Sequence, residues 1–273
     1  MSGLALTLRD PPRQRLDLSP LTPDRLAGLD EAAIAAIELI SGNQRLRVGD
    51  LFAIAIGDPA DLSIRNACDK LDFIGRAMTD GTITVEGDAG AYVGLGLRGG
   101  RIHVRGGVGP WAGAEMHRGV IEIDGDAGDF TAGAVPGETK GMRGGLVIVR
   151  GNAGHRAGDR MRRGILVIEG SVGSHAGSRM IAGTVAVLGA AVGPYPGFGM
   201  KRGSLILSSA PERPSPTFAD CGAHDLGFLK LLPQAVGDRS SRLAELWAMP
   251  PRVRRFAGDL AAGGMGEILI RRI

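Results

Sequence analysis

The stretch GNAGHRAGDRMRRGILVIE, residues 151–169, shows in one copy the pattern that decides the fold. Small residues stand at its turns, Met161 stands in the middle, and Leu166 and Ile168 alternate with their neighbours at the end. Period-two alternation of aliphatic residues is typical of a strand. Glycine at the turns supplies backbone conformations that other residues avoid. The stretch therefore predicts one short strand joined to tight turns.

The same pattern recurs along the chain. Matching glycines are separated by 19, 19, 26, 19 and 19 residues, and they are Gly87, Gly106, Gly125, Gly151, Gly170 and Gly189. The long interval holds an insertion at Val135–Lys140, and a weaker copy begins at Cys68. Two strand positions are aliphatic in every copy: Ile83/Val85, Ile102/Val104, Ile121/Ile123, Val147/Val149, Leu166/Ile168, Val185/Val187 and Leu205/Leu207. These copies make seven units between about residues 68 and 208.

Repeats of this kind stack, so that each unit buries its apolar side against the next. A 19-residue unit without a helical run is too short for a helical solenoid. The hexapeptide acyltransferases also form β-solenoids, but their coils count 18 residues, so the 19-residue period argues against them. We predict an all-β fold, a right-handed single-stranded β-helix of about seven 19-residue coils, with α/β caps at the N- and C-termini.

The flanks divide the chain into three predicted parts: an N-terminal cap (1–65), the glycine-repeat β-helix (66–208), and a C-terminal crossover and packing segment (209–273). In the first part, Asp30-Glu31 opens a short helix that we expect to close at Ser41-Gly42, followed by a turn and a strand. In the last part, the apolar spacing predicts helices over 225–235 and 239–248. A final strand is predicted from Glu267 to Ile273.

Composition excludes several classes of protein. The 273 residues include 45 glycines, but 44% of residues are hydrophobic and the net charge is only +3, so neither disorder nor collagen fits. Two cysteines, Cys68 and Cys221, form no disulfide framework and lack zinc-site or iron–sulfur spacing. They suit a reducing cytoplasm. No secretory signal and no run of about 20 apolar residues is present, so we predict a cytoplasmic chain outside the membrane.

One repeat position holds most of the methionines. It is occupied by Met78, Met116, Met142, Met161, Met180 and Met200 in six units and by Leu97 in the second unit. A methionine stripe also suits a soft-metal site. Methionine is a common filler of irregular cores, however, so we interpret this column as a structural core and predict no metal site.

Basic residues gather beside the methionine position: Arg143, Arg160, Arg162, Arg163, Arg179, Lys201 and Arg202. Residues 96–205 as a whole carry 14 basic and 8 acidic side chains. This cluster is interpreted either as solvated surface or as a site for an acidic partner or polyanionic ligand. The small number of aromatic residues argues against nucleic acid as the partner.

The outward strand positions become apolar in the later units, for example Leu146 and Ile148, then Ile165 and Val167. A strand that is apolar on both sides is buried on both sides. Either the C-terminal segment of the same chain or a partner subunit must therefore cover this face.

The sequence contains no catalytic constellation. It lacks a nucleophile elbow, a P-loop and a zinc-protease motif, and no two of its five histidines share a repeat position. Asp124, Asp126 and Asp129 lack the spacing of a calcium loop. We therefore predict no catalytic residues in this chain.

The flanking motifs, together with the repeat, resemble the family of formylmethanofuran dehydrogenase C subunits over about residues 40–273. The three motifs are Gly42-Asn43 through Phe52, Phe218-Ala219-Asp220-Cys221-Gly222, and Gly258-Asp259-Leu260 through Ile268. The glycine repeat also looks like the C-terminal domain of glutamate synthase large subunits.

The resemblance implies a non-catalytic scaffold in one-carbon metabolism. In a bacterial formyltransferase/hydrolase complex, the partners would be amidohydrolase-like, formyltransferase-like and dehydrogenase-like subunits. That complex would move a formyl group between tetrahydromethanopterin and a methanofuran-type cofactor and release formate, with no cofactor held by this chain itself. The arginine-rich, lysine-poor composition favours this bacterial complex. The alternatives are the C subunit of a molybdenum or tungsten formylmethanofuran dehydrogenase and a glutamate-synthase-like domain in ammonia chemistry.

The same resemblance gives the basic cluster a ligand. The furan cofactors of the family carry glutamate tails, so Arg160, Arg162, Arg163 and Arg179 are candidate contacts to an acidic cofactor tail.

Overall fold

A computed structural model describes residues 2–246 and 252–271 of the chain. The described part is mostly β-sheet, as expected for the all-β class. Its strands are β1 (Gly3–Leu8), β2 (Leu16–Asp17), β3 (Glu38–Ser41), β4 (Gln44–Arg47), β5 (Phe52–Ala55), β6 (Asp58–Ala67), β7 (Leu71–Asp72), β8 (Thr82–Gly87), β9 (Arg101–Val104), β10 (Val120–Ile123), β11 (Arg143–Val149), β12 (Arg163–Ile168), β13 (Thr184–Val187), β14 (Ser204–Leu207), β15 (Ala219–Asp225), β16 (Arg252–Gly258) and β17 (Gly266–Arg271).

The helices are short and lie in the flanks. They are α1 (Pro23–Leu26), α2 (Glu31–Ala36), α3 (Val48–Leu51), α4 (Leu231–Val236) and α5 (Ser241–Leu246), with 3₁₀ turns at Gly227–Lys230, Gly237–Arg239 and Leu260–Ala262. In the described ranges, no helix is long and apolar enough to cross a membrane.

The strands of the seven units pair in parallel, each with the equivalent strand of the next unit. Ile83 lies opposite Ile102, Ile121 opposite Val147, and Val185 opposite Leu205. All fourteen aliphatic strand positions named above are fully buried. The parallel register therefore follows the 19-residue period of the sequence, with its 26-residue exception.

A second line of parallel contacts runs along another side of each unit. Single-residue bridges join Ala89, Val108, Ala127, Ala153, Val172 and Val192 in that order. These six residues are at most 7% exposed. The units thus face a common core from at least two sides, and that core is continuous from β1 to β17.

Flanking strands extend the stack at both ends. The large sheet runs in the order β15-β16-β17-β14-β13-β12-β11-β10-β9-β8-β6-β1-β5, and a smaller sheet runs β4-β3-β2-β7. β17 continues the unit register, with Ile268 opposite Leu205. At the other end, Leu62 of β6 lies opposite Ile83, and Leu4 of β1 lies opposite Leu62.

The N-terminal helix begins where the sequence predicted but ends early. Asp30 caps α2, accepting a hydrogen bond from the amide of Ala33 at 2.8 Å. The expected closure at Ser41-Gly42 is wrong, because the helix ends at Ala36 and residues 38–41 form β3. Residues 38–41 instead pair with β2 on one side and with β4 on the other, so their backbone is held in the smaller sheet.

The C-terminal segment covers the outward apolar face of the later strands, which is one of the two alternatives predicted from the sequence. Leu229, Leu232, Val236 and Leu243 form a second apolar cluster with the outward side chains of the later strands. Those strand residues are Leu146, Ile148, Val167, Ala186, Leu188 and Ile206. The helix expected over 225–235 is a 3₁₀ turn followed by α4, and the helix expected over 239–248 is α5. Residues 247–248 and 272–273 lie outside the described residues.

Candidate functional site

One corner of each unit holds a residue in the left-handed backbone conformation. Seven non-glycine residues occupy it with φ between 57° and 63°: Phe73, Tyr92, Trp111, Phe130, Arg156, His175 and Tyr195. Their spacing follows the repeat, so the corner recurs once per unit. L-amino acids avoid this conformation at about 1–2 kcal/mol per residue. Side-chain contacts along the column must offset that cost.

Four aromatic rings of this column stack face to face. Phe73 to Tyr92, Tyr92 to Trp111, and Trp111 to Phe130 have centroid separations of 4.7, 5.1 and 5.4 Å and interplanar angles of at most 13°. Such pairs contribute about 0.5–1.5 kcal/mol each beyond the area they bury. Arg76 covers Phe73 and Arg156 covers Phe130, with guanidinium carbons 5.2 and 6.0 Å from the ring centroids. We call these four rings the aromatic column.

A cleft of about 220 Å³ opens where this column meets the insertion of the fourth unit. Its lining is Trp111, Phe130, Ala134, Val135, Pro136, Gly137, Glu138, Asp159, Arg160 and Arg179. The insertion is fastened at both ends, since Ala134 and Gly141 donate hydrogen bonds to the carbonyls of Asp159 and Arg160 at 3.1 and 2.9 Å. The cleft therefore has a fixed outer wall.

Asp159 is the buried anion beside the cleft. Its carboxylate accepts a hydrogen bond from the Ser178 hydroxyl at 2.5 Å and from the Arg179 guanidinium at 2.8–3.0 Å. Arg156 and Arg160 approach the same carboxylate only to 3.7 and 4.0 Å. Three guanidiniums thus surround one buried carboxylate. Most hydrogen-bond donors of Arg156 and Arg160 do not contact it.

Trp111, which lines the cleft, carries a hydrogen-bond donor without a partner. Its indole N–H is shielded from solvent and has no hydrogen-bond partner among the described residues. A buried donor left without an acceptor costs about 1–3 kcal/mol. Such groups in folded proteins call for an explanation.

The four arginines expected to act together fall into two pairs. Arg160 and Arg179 line the cleft, with left-handed backbones at φ 53° and 52°. Arg162 and Arg163 lie on an exposed edge, and their side chains make no hydrogen bond or ion pair within the described part of the chain.

That edge carries a line of basic side chains, which we call the basic stripe. In each unit after the first, the backbone N–H of the residue after the methionine position donates a hydrogen bond to a carbonyl of the preceding unit. That carbonyl belongs to the methionine position, as when Arg162 donates to Met142 at 2.8 Å. The members of the stripe are Arg98, His117, Arg118, Arg143, Arg162, Arg163, Lys201 and Arg202, all exposed except the half-buried Arg143. Arg143 lies 3.8 Å from Glu115. At about 4.8 Å per strand step, the stripe is about 24 Å long.

The methionine column lies inside the stack, away from these surfaces. Met78, Met116, Met142, Met161, Met180 and Met200 are all 0% exposed, as is Leu97. Met142 shows how the column packs, because its terminal methyl occupies the space that a Cβ on Gly164 of the next unit would need.

The histidines make different contacts. His103 contacts Asp124 at 3.0 Å, and His155 contacts the Ser174 hydroxyl at 2.9 Å. Burial, and secondarily the charges of Arg156 and His155, lower the pKa of His175 below its usual value, against an opposing effect of Asp159. Within residues 2–246 and 252–271, no group of three His, Cys, Asp or Glu side chains is arranged to hold a metal ion.

Comparison with known proteins gives the chain its family. No protein-family model matches it. Among curated proteins, the C subunit of the tungsten-containing formylmethanofuran dehydrogenase 2 of Methanococcus maripaludis is 34% identical over 94 residues, 34% of this chain and 35% of that protein. The C subunit of the formyltransferase/hydrolase complex Fhc of Methylorubrum extorquens is 41% identical over 85 residues, 31% of this chain and 32% of that protein. The match spans about a third of the length of these curated relatives.

A solved structure extends the similarity over almost the whole chain. One chain in the X-ray structure of the formyltransferase/hydrolase complex (FhcABCD) from Methylorubrum extorquens, in complex with methylofuran, is 39% identical, with a TM-score of 0.92. The match covers 98% of this chain and 100% of that chain. The chain belongs to the family of formylmethanofuran dehydrogenase C subunits.

In this member of the family, reasoning from sequence found the arginines but missed the aromatic column. The signal was present, because Phe73, Tyr92, Trp111 and Phe130 are each separated by 19 residues. Only 4% of residues are aromatic, so this spacing is a weak signal in the composition as a whole. The two-sided fastening of the insertion leaves no mark in the sequence, because it uses backbone hydrogen bonds.

Proposed function

We propose that this chain is the non-catalytic scaffold subunit of a formyltransferase/hydrolase complex. The observation that carries the proposal is the full-length similarity to a chain of such a complex, at 39% identity. In this role the complex moves a formyl group between tetrahydromethanopterin and a methanofuran-type cofactor and releases formate. The active sites belong to the other subunits, and this chain holds them in place.

The scaffold we propose is a right-handed single-stranded β-helix of about seven 19-residue coils over residues 66–208. Residues 1–65 act as its N-terminal cap, and residues 209–273 as the crossover and packing segment. Support comes from the unit-to-unit register of β8 to β14 and from the second line of parallel bridges. Stacked coils suit a scaffold because every residue is held by its neighbours in two adjacent units.

The partners in this proposal are an amidohydrolase-like, a formyltransferase-like and a dehydrogenase-like subunit, assembled as a hetero-oligomer in the cytoplasm. The test is to purify the chain from its own cells with a small affinity tag and to identify what comes with it by mass spectrometry. We expect these three subunits in fixed ratio and formyl transfer activity in the eluate. Recovery of the chain alone, or with unrelated proteins, would contradict the proposal.

A second candidate is the corresponding subunit of a formylmethanofuran dehydrogenase, favoured by the 34% identity to the tungsten-containing relative. Metal analysis of the same purified complex separates the two. Molybdenum or tungsten in stoichiometric amount, with formate-oxidising activity, supports the dehydrogenase. Their absence from an active formyl-transferring complex supports the first candidate.

We further propose that Arg160, Arg162, Arg163 and Arg179 contact the acidic tail of the methanofuran-type cofactor. The unpaired side chains of Arg162 and Arg163 support this, because they offer positive charge that no carboxylate of the described chain neutralises. Changing both to glutamate in the assembled complex is expected to reduce the cofactor retained after gel filtration. Arg9→Glu with Arg13→Glu, also at exposed arginines, is the matched control. Equal retention in both double variants would reject the contact.

A further inference from the structure

We propose that the cleft between the aromatic column and the insertion binds a small carboxylate with an apolar body, held by the Arg160 guanidinium and the Trp111 indole N–H. The site shares Arg160 with the cofactor-tail contact proposed above but does not depend on it, because it lies within this chain and is testable without the other subunits. It also gives a role to the insertion at Val135–Lys140, which interrupts an otherwise regular repeat.

The charge of the site fits a single negative charge. The charged residues that line the cleft are Arg160, Arg179, Glu138 and Asp159. Arg156 lies beside them, 3.7 Å from the Asp159 carboxylate. Three guanidiniums against two carboxylates leave one positive charge in excess. A monoanion balances that excess, whereas phosphate carries more charge than the site supplies.

The hydrogen-bond donors point to the same class of ligand. Arg179 is occupied by its two-pronged contact with Asp159, but Arg160 uses only one donor, to the carbonyl of Glu138 at 3.1 Å. Its other donors and the unpartnered indole N–H of Trp111 remain for a ligand. The two oxygens of a carboxylate accept several hydrogen bonds in one plane, which matches a guanidinium and an added N–H.

The remaining lining is apolar and sets the body of the ligand. The apolar lining includes Trp111 and Phe130 of the aromatic column and Val135 and Pro136 of the insertion. Trp111 stacks between Tyr92 and Phe130, and the Arg156 guanidinium carbon lies 6.0 Å from the Phe130 ring centroid. A ligand in the cleft would therefore meet ring edges. Ring edges are electropositive and attract the face of another aromatic ring. A planar acid such as benzoate meets both requirements.

The test is a titration of the full chain with benzoate, followed by the indole N–H signals in ¹⁵N–¹H NMR spectra. The chain has two tryptophans, and Trp247→Phe assigns the signal of Trp111. We expect a saturable shift of the Trp111 signal with benzoate. Benzamide, which has the same shape without the charge, should leave the signal in place, as should sodium chloride at equal ionic strength.

Variants then locate the contact. Arg160→Gln should weaken benzoate binding by about tenfold, since a hydrogen bond between charged groups is lost. Arg98→Gln, at an exposed arginine of the same chain outside the cleft, should leave the affinity unchanged. The proposal is overturned by the absence of a saturable shift, by an equal shift with benzamide or inorganic phosphate, or by unchanged affinity in Arg160→Gln.

Discussion

Each buried methionine of the repeat depends on a glycine in the following unit. The Gly164 position has φ +94°, and a Cβ there would lie 2.8 Å from the Met142 methyl and 2.8 Å from the Gly145 carbonyl oxygen. Real Cβ atoms do not approach so closely, and the carbonyl belongs to backbone that cannot turn away. The glycine thus serves two needs at this position, a left-handed corner and space for the methionine of the preceding unit.

We predict that Gly164→Ala lowers the free energy of unfolding by at least about 1 kcal/mol more than Gly137→Ala does. Both substitutions place alanine at a similar φ, +94° and +89°, and so share the left-handed strain of about 1–2 kcal/mol. A Cβ at Gly137 meets nothing within 4 Å, so only Gly164→Ala adds overpacking, which costs about 1–3 kcal/mol. Urea denaturation of both variants measures the difference, and equal losses would show that packing against Met142 contributes nothing.

His175 makes stability depend on pH. Its pKa is lowered by burial and by the charges of Arg156 and His155, so the folded state binds a proton less readily than the unfolded state. Stability from this residue is therefore complete above the unfolded pKa, about 6.5, and is lost as pH falls below that value.

The matched variant is His175→Tyr, because tyrosine already occupies the equivalent left-handed corner at Tyr92 and Tyr195. We expect the melting temperature of the original chain to fall more between pH 8 and pH 5.5 than that of the variant. Other titrating groups contribute equally to both proteins and cancel in the comparison. Identical falls would mean that His175 is not a source of the pH dependence.

In the C-terminal segment, buried and exposed leucines stand close together in the sequence. Leu229 and Leu231 are two residues apart, yet Leu229 is 1% exposed against the later strands and Leu231 is 60% exposed. Polar contacts also fasten the segment, because the Ser240 hydroxyl donates to Glu169 at 2.6 Å and Arg239 lies 3.4 Å from the buried Glu122. The segment is therefore part of the folded core.

Leu229→Ala is expected to destabilise the chain by about 2–5 kcal/mol, whereas Leu231→Ala changes stability by no more than about 0.5 kcal/mol. The buried substitution leaves a cavity between the segment and the strand face, and the exposed one does not. Limited proteolysis together with urea denaturation tests this, with faster cleavage within residues 225–246 expected for Leu229→Ala only. Equal behaviour of the two variants would show that the segment does not protect the strand face.

At the level of elements, periodic parts could be predicted from sequence and single-copy parts could not. The strand positions from Ile83 to Leu207 were readable because seven copies repeat one alternation. β1 and β16 have no repeated copy in the sequence, and they join the sheet by pairing with strands that are distant along the chain. The expected end of α2 is wrong for a related reason, since the pairing of β3 with β2 and β4 outweighs the local helical spacing of Ile34 and Ile37. For the candidate cleft, the residue types alone indicate the charge. The walls of the cleft could not be predicted, because they are formed by tertiary contacts between the aromatic column and the insertion.

Over the molecule as a whole, charge is segregated. Residues 1–95 hold 9 basic and 14 acidic side chains, whereas residues 96–205 hold 14 basic and 8 acidic ones. Stacking of the units gathers part of this bias in the basic stripe, where neighbouring units lie about 4.8 Å apart and the sixth unit, with Ile181 and Ala182, adds no charge. A line of one sign produces a local field that the small net charge of +3 conceals.

The stripe predicts how the chain behaves towards a polyanion. Arg162→Gln with Arg163→Gln should elute from immobilised heparin at clearly lower salt than the original chain, because adjacent positive charges of the stripe act together within one Debye length of about 10 Å at 0.1 M salt. The control is Arg9→Gln with Arg13→Gln, which removes the same two charges from the acidic N-terminal part and should shift elution less. The salt concentration at the elution peak is the measurement. Equal shifts would show that heparin responds to net charge alone and that the stripe does not act as a unit.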